Sequence, residues 1–376
     1  MNGVIDRRTF IAAGSATAAL VPVALRASPL VLPRRNLLII NTLGAPDDTY
    51  GPKPKPGDPP ISQAGINALR SSGVTAINVT IAGGMDATFA DTSATIARYD
   101  HFLDQRRNEL VKVLTAADIL SAKRAGKAGI IYGFQGTSML GADVANVDAF
   151  ASMGVRIIQL TYNSINLVGG GALSPADYGL TDFGRAVVAR LNDKRVIVDL
   201  SHANRQTTLD AARASTIPIA ITHTGCRAIA DVPRNKTDEE LRSVADKGGY
   251  VGIYFMPFLA PGRPFGSEDV AQHIEHAIKV CGEDHVGVGS DHGLTPLADM
   301  SAVRAYYAKI VNERRAQGIS APGEDPALLP YGTDLIGPAQ FRVLADTLAR
   351  RKHPARRIEK IMGRNFLDFA ETIWGR

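Results

Sequence analysis

The sequence has little cysteine and little excess charge. Its 376 residues include only two cysteines, Cys226 and Cys281, which is too few for a disulfide scaffold, and their spacing suits no cysteine-based zinc site. Whether the two cysteines pair is left open. The formal net charge is only +5, and the basic run RRKHPARR at residues 350–357 has no interleaved aromatic residues. We read that run as a solvated helix face, and we expect no nucleic acid partner.

Several signatures of common enzyme classes are missing. The segment NTLGAPDDTYGPKPKPGDPP follows the first apolar run without a G-x-G-x-x-G nucleotide-binding pattern. There is no G-x-S-x-G motif, and Ser290, Asp291 and His292 are consecutive, so they cannot converge as a catalytic triad. His273 and His276, in QHIEH, lack the H-E-x-x-H order. We expect these two histidines on the surface of a helix outside the sheet.

Long apolar runs are absent except for an Ala-rich stretch at residues 11–25. It follows the paired arginines of DRRTFI and precedes small residues, a layout typical of a twin-arginine export signal. The stretch is too short and Ala-rich to favour a permanent membrane span; a lipid-facing anchor or a chance basic end are the alternatives. We predict an export signal over residues 1–27 and a periplasmic or otherwise exported protein. Those residues carry three arginines and one aspartate, so +3 of the +5 charge remains on the mature chain.

The rest of the chain is rich enough in apolar residues, 45% overall, to bury a large core. Apolar runs alternate with amphipathic helical patterns. The predicted strands are NLLII, TAINVTI, GIIYGF, VRIIQLTY, RVIVDL, PIAIT, GYVGIYFM and HVGVGS. Eight strand-to-helix transitions predict one (β/α)8 barrel over residues 28–376. A doubly wound open sheet is the alternative. We read VGGGAL, residues 168–173, as a flexible loop.

Polar side chains end most of these strands. They are Asn41, Gln135, Tyr162, Asn163, His202, His223, Asp291 and His292. In a barrel of parallel strands the carboxyl ends meet on one face, where the active site lies. Imidazole nitrogens with carboxylate or amide oxygens are suitable zinc ligands, and a bound zinc ion activates water. The strand ends therefore suggest metal-assisted hydrolysis. The alternative is that each histidine only satisfies a backbone carbonyl.

Four segments resemble the membrane (renal-type) dipeptidase family, the M19 metallopeptidases. They are GFQGTSMLGADVANVDAFASMGVRIIQLTYN, VIVDLSHAN, IAITHTGCRAIADVPRNKTDEELRSVADKGGYVGIYFMPFL and HVGVGSDHG. The resemblance implies a (β/α)8 TIM barrel of the metallo-dependent hydrolase type with a two-zinc site. It also implies hydrolysis of dipeptides, often with broad specificity and sometimes with D-residues at the C-terminal position. Barrels of this family often pair, so a homodimer is possible, although no surface pattern here indicates one.

The resemblance implies roles for four residues. His202 and His223 match the two histidines that hold one zinc ion. Arg234 matches the arginine that receives the free carboxylate of the substrate, a pairing that suits a planar guanidinium. Without the resemblance to this family, Arg234 would be interpreted as forming a salt bridge within a loop. Asp291 matches the aspartate that ligates metal and handles protons around the attacking water.

This chain also departs from the family pattern. The family's first strand ends in a His-x-Asp pair for the other zinc ion, but no histidine precedes His101 here. Gln135 stands where the zinc-bridging carboxylate is expected, and a neutral amide bridges two dications poorly. Tyr162 replaces a substrate-polarising histidine and can still donate a hydrogen bond to an oxyanion. We therefore expect the first metal site to be degenerate.

These observations lead to one main expectation. We expect a zinc-dependent dipeptidase with one zinc ion, and two as the alternative, in which the metal ligands are His202, His223, Gln135 and Asp291. Asp291 and Tyr162 are the expected catalytic residues, while Arg234 and Tyr162 bind a small dipeptide-like substrate.

Three departures from that expectation stay open. Asn41, Asp47 or Asp48 could rebuild a second, weaker metal site. The chain could also form a catalytically silent barrel that binds peptides or metabolites after losing the binuclear centre. A lyase or isomerase acting on a peptide-derived metabolite is the third reading, and it would give product without net hydrolysis.

Overall fold

The computed structural model describes residues 37–50, 55, 57–83, 86–297, 299–316 and 320–375. In these residues strands and helices alternate along the chain, as the sequence predicts. The strands are β1 (Ile40–Asn41), β2 (Ala76–Gly83), β3 (Leu110–Lys112), β4 (Ala128–Gln135), β5 (Val155–Gln159), β6 (Ile197–Asp199), β7 (Ala220–Thr224), β8 (Tyr250–Ile253) and β9 (Val286–Val288).

Helices connect the strands and cover the outside of the sheet. They are α1 (Gln63–Ser72), α2 (Phe89–Gln105), α3 (Ala116–Arg124), α4 (Asn146–Ser152), α5 (Asp182–Asp193), α6 (Arg205–Ala214), α7 (Asp238–Ala245), α8 (Ser267–Cys281), α9 (Met300–Ala316), α10 (Gln340–Arg350), α11 (Ala355–Glu359) and α12 (Asn365–Trp374). Local sequence starts several of them. In α7, for example, Thr237 accepts a hydrogen bond from the backbone of Glu240, whose side chain bonds back to the Thr237 backbone.

Eight of the strands form a closed parallel barrel in the order β1-β2-β4-β5-β6-β7-β8-β9. The barrel closes where Thr42 N donates to Val288 O at 3.1 Å and Asp291 N donates to Leu43 O at 2.9 Å. All eight predicted strands are confirmed, as is the (β/α)8 barrel. The unpredicted strand β3 is short and pairs with the start of β4, outside this strand order.

One end of the barrel is apolar and covered. Ile40, Ile131, Ile157 and Ile197 form a buried cluster with aromatic residues of α12. Within that cluster the rings of Tyr250 and Phe366 pack at 5.2 Å between centroids. Because α12 covers the amino-terminal end of the strands, a ligand has access only from the carboxyl ends, where the buried residues are polar.

Two predictions about local environment are wrong. His273 is fully buried, not on the surface: its Nδ1 accepts from Cys226 N at 2.9 Å and its Nε2 pairs with Leu259 O at 3.1 Å. The VGGGAL segment is packed and hydrogen-bonded, since Gly170 N donates to Thr207 Oγ1 at 2.9 Å. In both cases distant parts of the chain supply the partners. Cys226 and Cys281 are buried free thiols.

The basic run at residues 350–357 is engaged within the protein. Arg351 pairs with Glu268 and Glu275 of α8, and Arg357 pairs with Glu283. These ion pairs neutralise much of the positive charge of the basic run. The predicted export signal at residues 1–27 lies outside the described residues. Among the residues that are described, no helix is both long and apolar enough to cross a membrane.

Candidate active site

Two imidazole rings meet at the carboxyl ends of β6 and β7. His202 follows β6 and His223 lies within β7, with ring centroids 5.0 Å apart and ring planes tilted by 59°. His202 is 4% exposed and His223 is fully buried. The Nε2 atom of each ring is buried and has no hydrogen-bond partner. Buried polar atoms are normally paired, so two adjacent orphaned nitrogens indicate a site that receives a ligand.

Hydrogen bonds to the other ring nitrogen orient both histidines. His202 Nδ1 lies 2.7 Å from Asn163 Oδ1, an acceptor, so this nitrogen carries the hydrogen. His223 Nδ1 lies 2.9 Å from Thr222 Oγ1, which lies 2.6 Å from Asp199 Oδ2. Thr222 donates its hydroxyl hydrogen to the carboxylate and therefore accepts from His223. Both rings then present an Nε2 lone pair to the site.

Electrostatics keep these rings neutral. Burial holds the pKa of His202 well below its usual value, and the charge of Arg234 and the neighbouring His223 lower it further. Burial and Arg234 likewise hold the pKa of His223 well below the ordinary range. Neutral imidazole is the form that binds a metal ion, so neither ring has to lose a proton first.

Arg234 is a buried cation without an acidic partner. It is 2% exposed, and its Nη1 donates to Ser201 O at 2.7 Å, with the Tyr254 ring centroid 5.9 Å from its Cζ. No carboxylate among the described residues forms a salt bridge with it. Lys236, two residues away and equally buried, is by contrast paired with Glu240 at 3.1 Å. An unpaired buried guanidinium is costly unless an anion binds to it.

Asp291 follows β9 in a left-handed backbone conformation, with φ of 57°. Such a conformation is uncommon outside glycine and typical of constrained functional positions. Burial raises the pKa of the Asp291 carboxyl to about 7, against the opposing charges of Arg234 and Arg314. Asp291 and Gln135 both line a cavity of about 280 Å³, which we call the acidic cavity because Asp47 also borders it. Gln135 Nε2 donates to Thr80 Oγ1 at 2.8 Å, which leaves Oε1 for a ligand.

Tyr162 forms a wall of the site. Its ring stacks on His202 at 4.3 Å with an interplanar angle of 19°. Burial raises the pKa of its hydroxyl, as does the charge of Asp291, so the hydroxyl stays protonated and able to donate a hydrogen bond. Tyr162 also borders a second cavity of about 490 Å³.

Four other polar residues near the carboxyl ends of the strands contact other parts of the protein. Asn41 links β1 to the segment that follows β9, where the barrel closes. Its Nδ2 donates to Ser290 Oγ and its Oδ1 accepts from Ser290 N, both at 2.8 Å. Asp47 accepts from Ser62 N at 2.9 Å at the start of α1. Asp48 accepts from Tyr50 N at 3.0 Å and from the Tyr331 hydroxyl. His292 is fully buried, its ring stacks on Tyr331 at 4.7 Å, and neither of its ring nitrogens has a hydrogen-bond partner among the described residues.

The residues present fit a metal ion only in part. Two Nε2 lone pairs on neutral rings provide two ligands for one ion. In the described part of the chain, no three His, Cys, Asp or Glu side chains are close enough together to hold one. The additional ligands Gln135 and Asp291 therefore stay a prediction.

The sequence did not reveal three contributors to this site. Asp199 lies inside the apolar run VIVDL, where a supporting role for a histidine has no sequence signal. Thr222 likewise precedes His223 without a recognisable pattern. Arg314 lies on α9, distant in sequence from the strand ends, yet its charge lowers the pKa of both Asp291 and Tyr162. Its Nη1 donates to Glu324 Oε1 at 2.5 Å.

Comparison with known proteins places this geometry in context. An uncharacterised protein in the pqqA 5' region of Klebsiella pneumoniae is 32% identical over 216 residues, covering 54% of this chain and 80% of that protein. An uncharacterised dipeptidase of Schizosaccharomyces pombe is 32% identical over 222 residues, covering 56% of this chain and about half, 53%, of its own length. The crystal structure of an amidohydrolase from Pseudomonas aeruginosa superposes with a TM-score of 0.75 at 28% identity, covering 91% and 98% of the two chains.

A family model provides the decisive comparison. The model described as "Membrane dipeptidase (Peptidase family M19)" matches residues 61–319, more than two thirds of the sequence. That span includes both histidines, Arg234 and Asp291. The chain therefore belongs to the membrane dipeptidase family, peptidase family M19.

Proposed function

We propose that this protein is a zinc-dependent dipeptidase that hydrolyses the peptide bond of dipeptides. The observation that carries the proposal is the buried, unpaired Arg234 beside two imidazoles with unpartnered Nε2 atoms. The guanidinium is positioned to bind a carboxylate, and the imidazoles to bind a cation. A dipeptide has a carboxylate one residue from its only peptide bond, so it matches both features.

Each residue has a distinct task in the proposed reaction. Arg234 binds the terminal carboxylate and sets the position of the scissile carbonyl. Asp291, with its pKa near 7, takes the proton from the attacking water and delivers it to the leaving amine. Tyr162 donates a hydrogen bond to the oxyanion. His202 and His223, with oxygen from Gln135 or Asp291, would hold a zinc ion, which would supply the Lewis acidity that makes water a better nucleophile.

A second candidate function follows from the sparse metal ligands. Because no three acidic, histidine or cysteine side chains converge in the described residues, a barrel that binds dipeptides without cleaving them is the alternative. Metal analysis of the purified protein and a dipeptide hydrolysis panel separate the two. About one tightly held zinc ion per chain with turnover supports the dipeptidase. Binding of dipeptides without zinc or turnover supports the silent barrel.

Arg234→Lys is expected to raise the KM for dipeptides by about 10- to 100-fold with a smaller change in kcat, since lysine keeps the charge but loses the bidentate geometry. Steady-state kinetics on an alanyl dipeptide measures the effect. The matched control is the corresponding dipeptide amide. It lacks the carboxylate, so its binding should not change on substitution. An equal loss for the acid and the amide would contradict the role of Arg234.

Thr222→Val is expected to lower the zinc affinity by about 10- to 100-fold, because the hydroxyl that orients His223 is lost while the side-chain shape is kept. Competition with a chromogenic chelator gives the affinity without relying on turnover. Thr347→Val serves as the control, since Thr347 is also fully buried but lies on α10 and bonds to Val343 O. If both variants bind zinc as the wild type does, Thr222 has no role in positioning His223.

A further inference from the structure

We infer that the cavity beside Tyr162 is a subsite for a large apolar side chain of the substrate. This inference rests on the proposed function and deepens it by naming the side-chain class. The cavity, which we call the apolar cavity, has a volume of about 490 Å³ and lies between the segments that follow β4 and β5. Its walls include Gly136, Gly141, Tyr162, Ile165 and Leu167.

Thr137, Ser138, Ser164 and Asn166 are polar residues that line the apolar cavity, and two of them, Thr137 and Asn166, are hydrogen-bonded across its wall. Thr137 Oγ1 donates to Leu160 O at 2.9 Å and accepts from Asn166 Nδ2 at 3.1 Å. Asn166 Oδ1 accepts from Val168 N at 2.8 Å. No charged side chain is among the lining residues that the structure describes. These bonds hold the loop in shape and occupy the polar groups of Thr137 and Asn166.

The surface that remains is apolar and unusually exposed. Ile165 and Leu167 are 44% and 59% exposed. They are among the few large apolar residues of the described chain that reach solvent, and both border this concavity. Apolar side chains gathered in a cavity are typical of a ligand pocket, and burying them against an apolar group is favourable.

The apolar cavity and the candidate active site share one residue. Tyr162 lines the cavity and stacks on His202 at 4.3 Å. The cavity therefore lies beside the position proposed for the substrate. The acidic cavity, with Asp47 and Asp291, offers carboxylates instead. The acidic cavity also has apolar lining residues such as Leu43 and Val79, but the apolar cavity is the one of the two without a charged lining residue, which favours it for an apolar side chain.

Isothermal titration calorimetry on the full chain tests the inference. The ligands are Ala-Ala, Leu-Ala, Ala-Leu, Glu-Ala and Ala-Glu. One of the two leucyl dipeptides is expected to bind about 10- to 100-fold tighter than Ala-Ala, the gain from burying a leucine side chain. Leu167→Ser should reduce that preference about 10-fold with little change for Ala-Ala. Leu167→Lys should favour the glutamyl dipeptide with Glu at the same position.

The control variant is Leu120→Ser, in which a leucine of similar partial exposure, 38%, is removed from α3. It should keep the wild-type preference. Equal affinities for Ala-Ala and both leucyl dipeptides, or an unchanged preference in Leu167→Ser, would overturn the inference. Hydrolysis is measured in parallel. A preference for leucine without turnover supports the subsite and contradicts the dipeptidase activity. Turnover without a preference supports the dipeptidase activity and contradicts the subsite. Absence of any dipeptide binding contradicts both.

Discussion

Replacing either His202 or His223 with alanine is expected to abolish tight zinc binding and to reduce dipeptide hydrolysis by more than about 100-fold. Each substitution removes one of the two orphaned Nε2 atoms, and one remaining imidazole cannot hold the ion tightly. Elemental analysis after dialysis, combined with kinetics on the same samples, measures both effects. Circular dichroism establishes that the barrel remains folded.

His101→Ala is the matched control for these variants. His101 is an exposed histidine on α2, where its Nε2 lies 2.9 Å from Gln105 Nε2. Its removal changes the histidine count without touching the strand ends. Zinc content and activity should equal those of the wild type. If His202→Ala and His223→Ala also retain the wild-type zinc content, the proposed ligands are wrong.

Asp291→Asn is expected to reduce kcat by about 100- to 10,000-fold, the usual range for the loss of a catalytic base. Asparagine keeps the shape of aspartate and tolerates the left-handed backbone at this position, so the fold should be preserved. Kinetics at saturating dipeptide give kcat. Asp346→Asn, an exposed substitution on α10, is the control and should be fully active.

The same substitution has a second effect, on the stability of the zinc-free protein. Burial raises the pKa of Asp291 from an ordinary value of 3.8 to about 7, so the folded state binds a proton that the unfolded state has released between these pH values. The contribution of Asp291 to stability is therefore fully present below about pH 4 and is lost as pH rises through 7. The loss amounts to up to about 4 kcal/mol.

In Asp291→Asn this pH dependence should disappear, so the variant should be more stable than the wild type at pH 8 and similar to it at pH 4. Urea unfolding of chelator-treated protein at both pH values measures the difference. If the free energies of unfolding of the wild type and the variant differ by the same amount at both pH values, Asp291 titrates as an ordinary surface aspartate. Together with the loss of kcat, a stabilising substitution is the result expected of a functional, half-buried carboxylate.

The fold was largely predictable because buried parallel strands appear in the sequence as continuous apolar runs. In β4, for example, seven consecutive residues from Ala128 to Phe134 are buried, so both faces read as apolar in the sequence. Helix starts such as Thr237 and Glu240 are equally local. The short strand β3 was missed because three residues that pair only with the edge of β4 carry no distinct pattern.

The sequence by itself determined the barrel and the placement of His202, His223 and Asp291 on one face. The reason is that strands, helices and the residues at strand ends are recognised from short stretches of sequence. Tertiary structure alone decided which of the polar groups lack partners. Arg234 and Lys236 look alike in the sequence, but within the described part of the chain only Lys236 forms a salt bridge with an acidic side chain. His273 and His223 are both buried, but only His223 retains an unpartnered nitrogen. The physical reason is that hydrogen bonds and ion pairs depend on groups that folding brings together from distant parts of the chain.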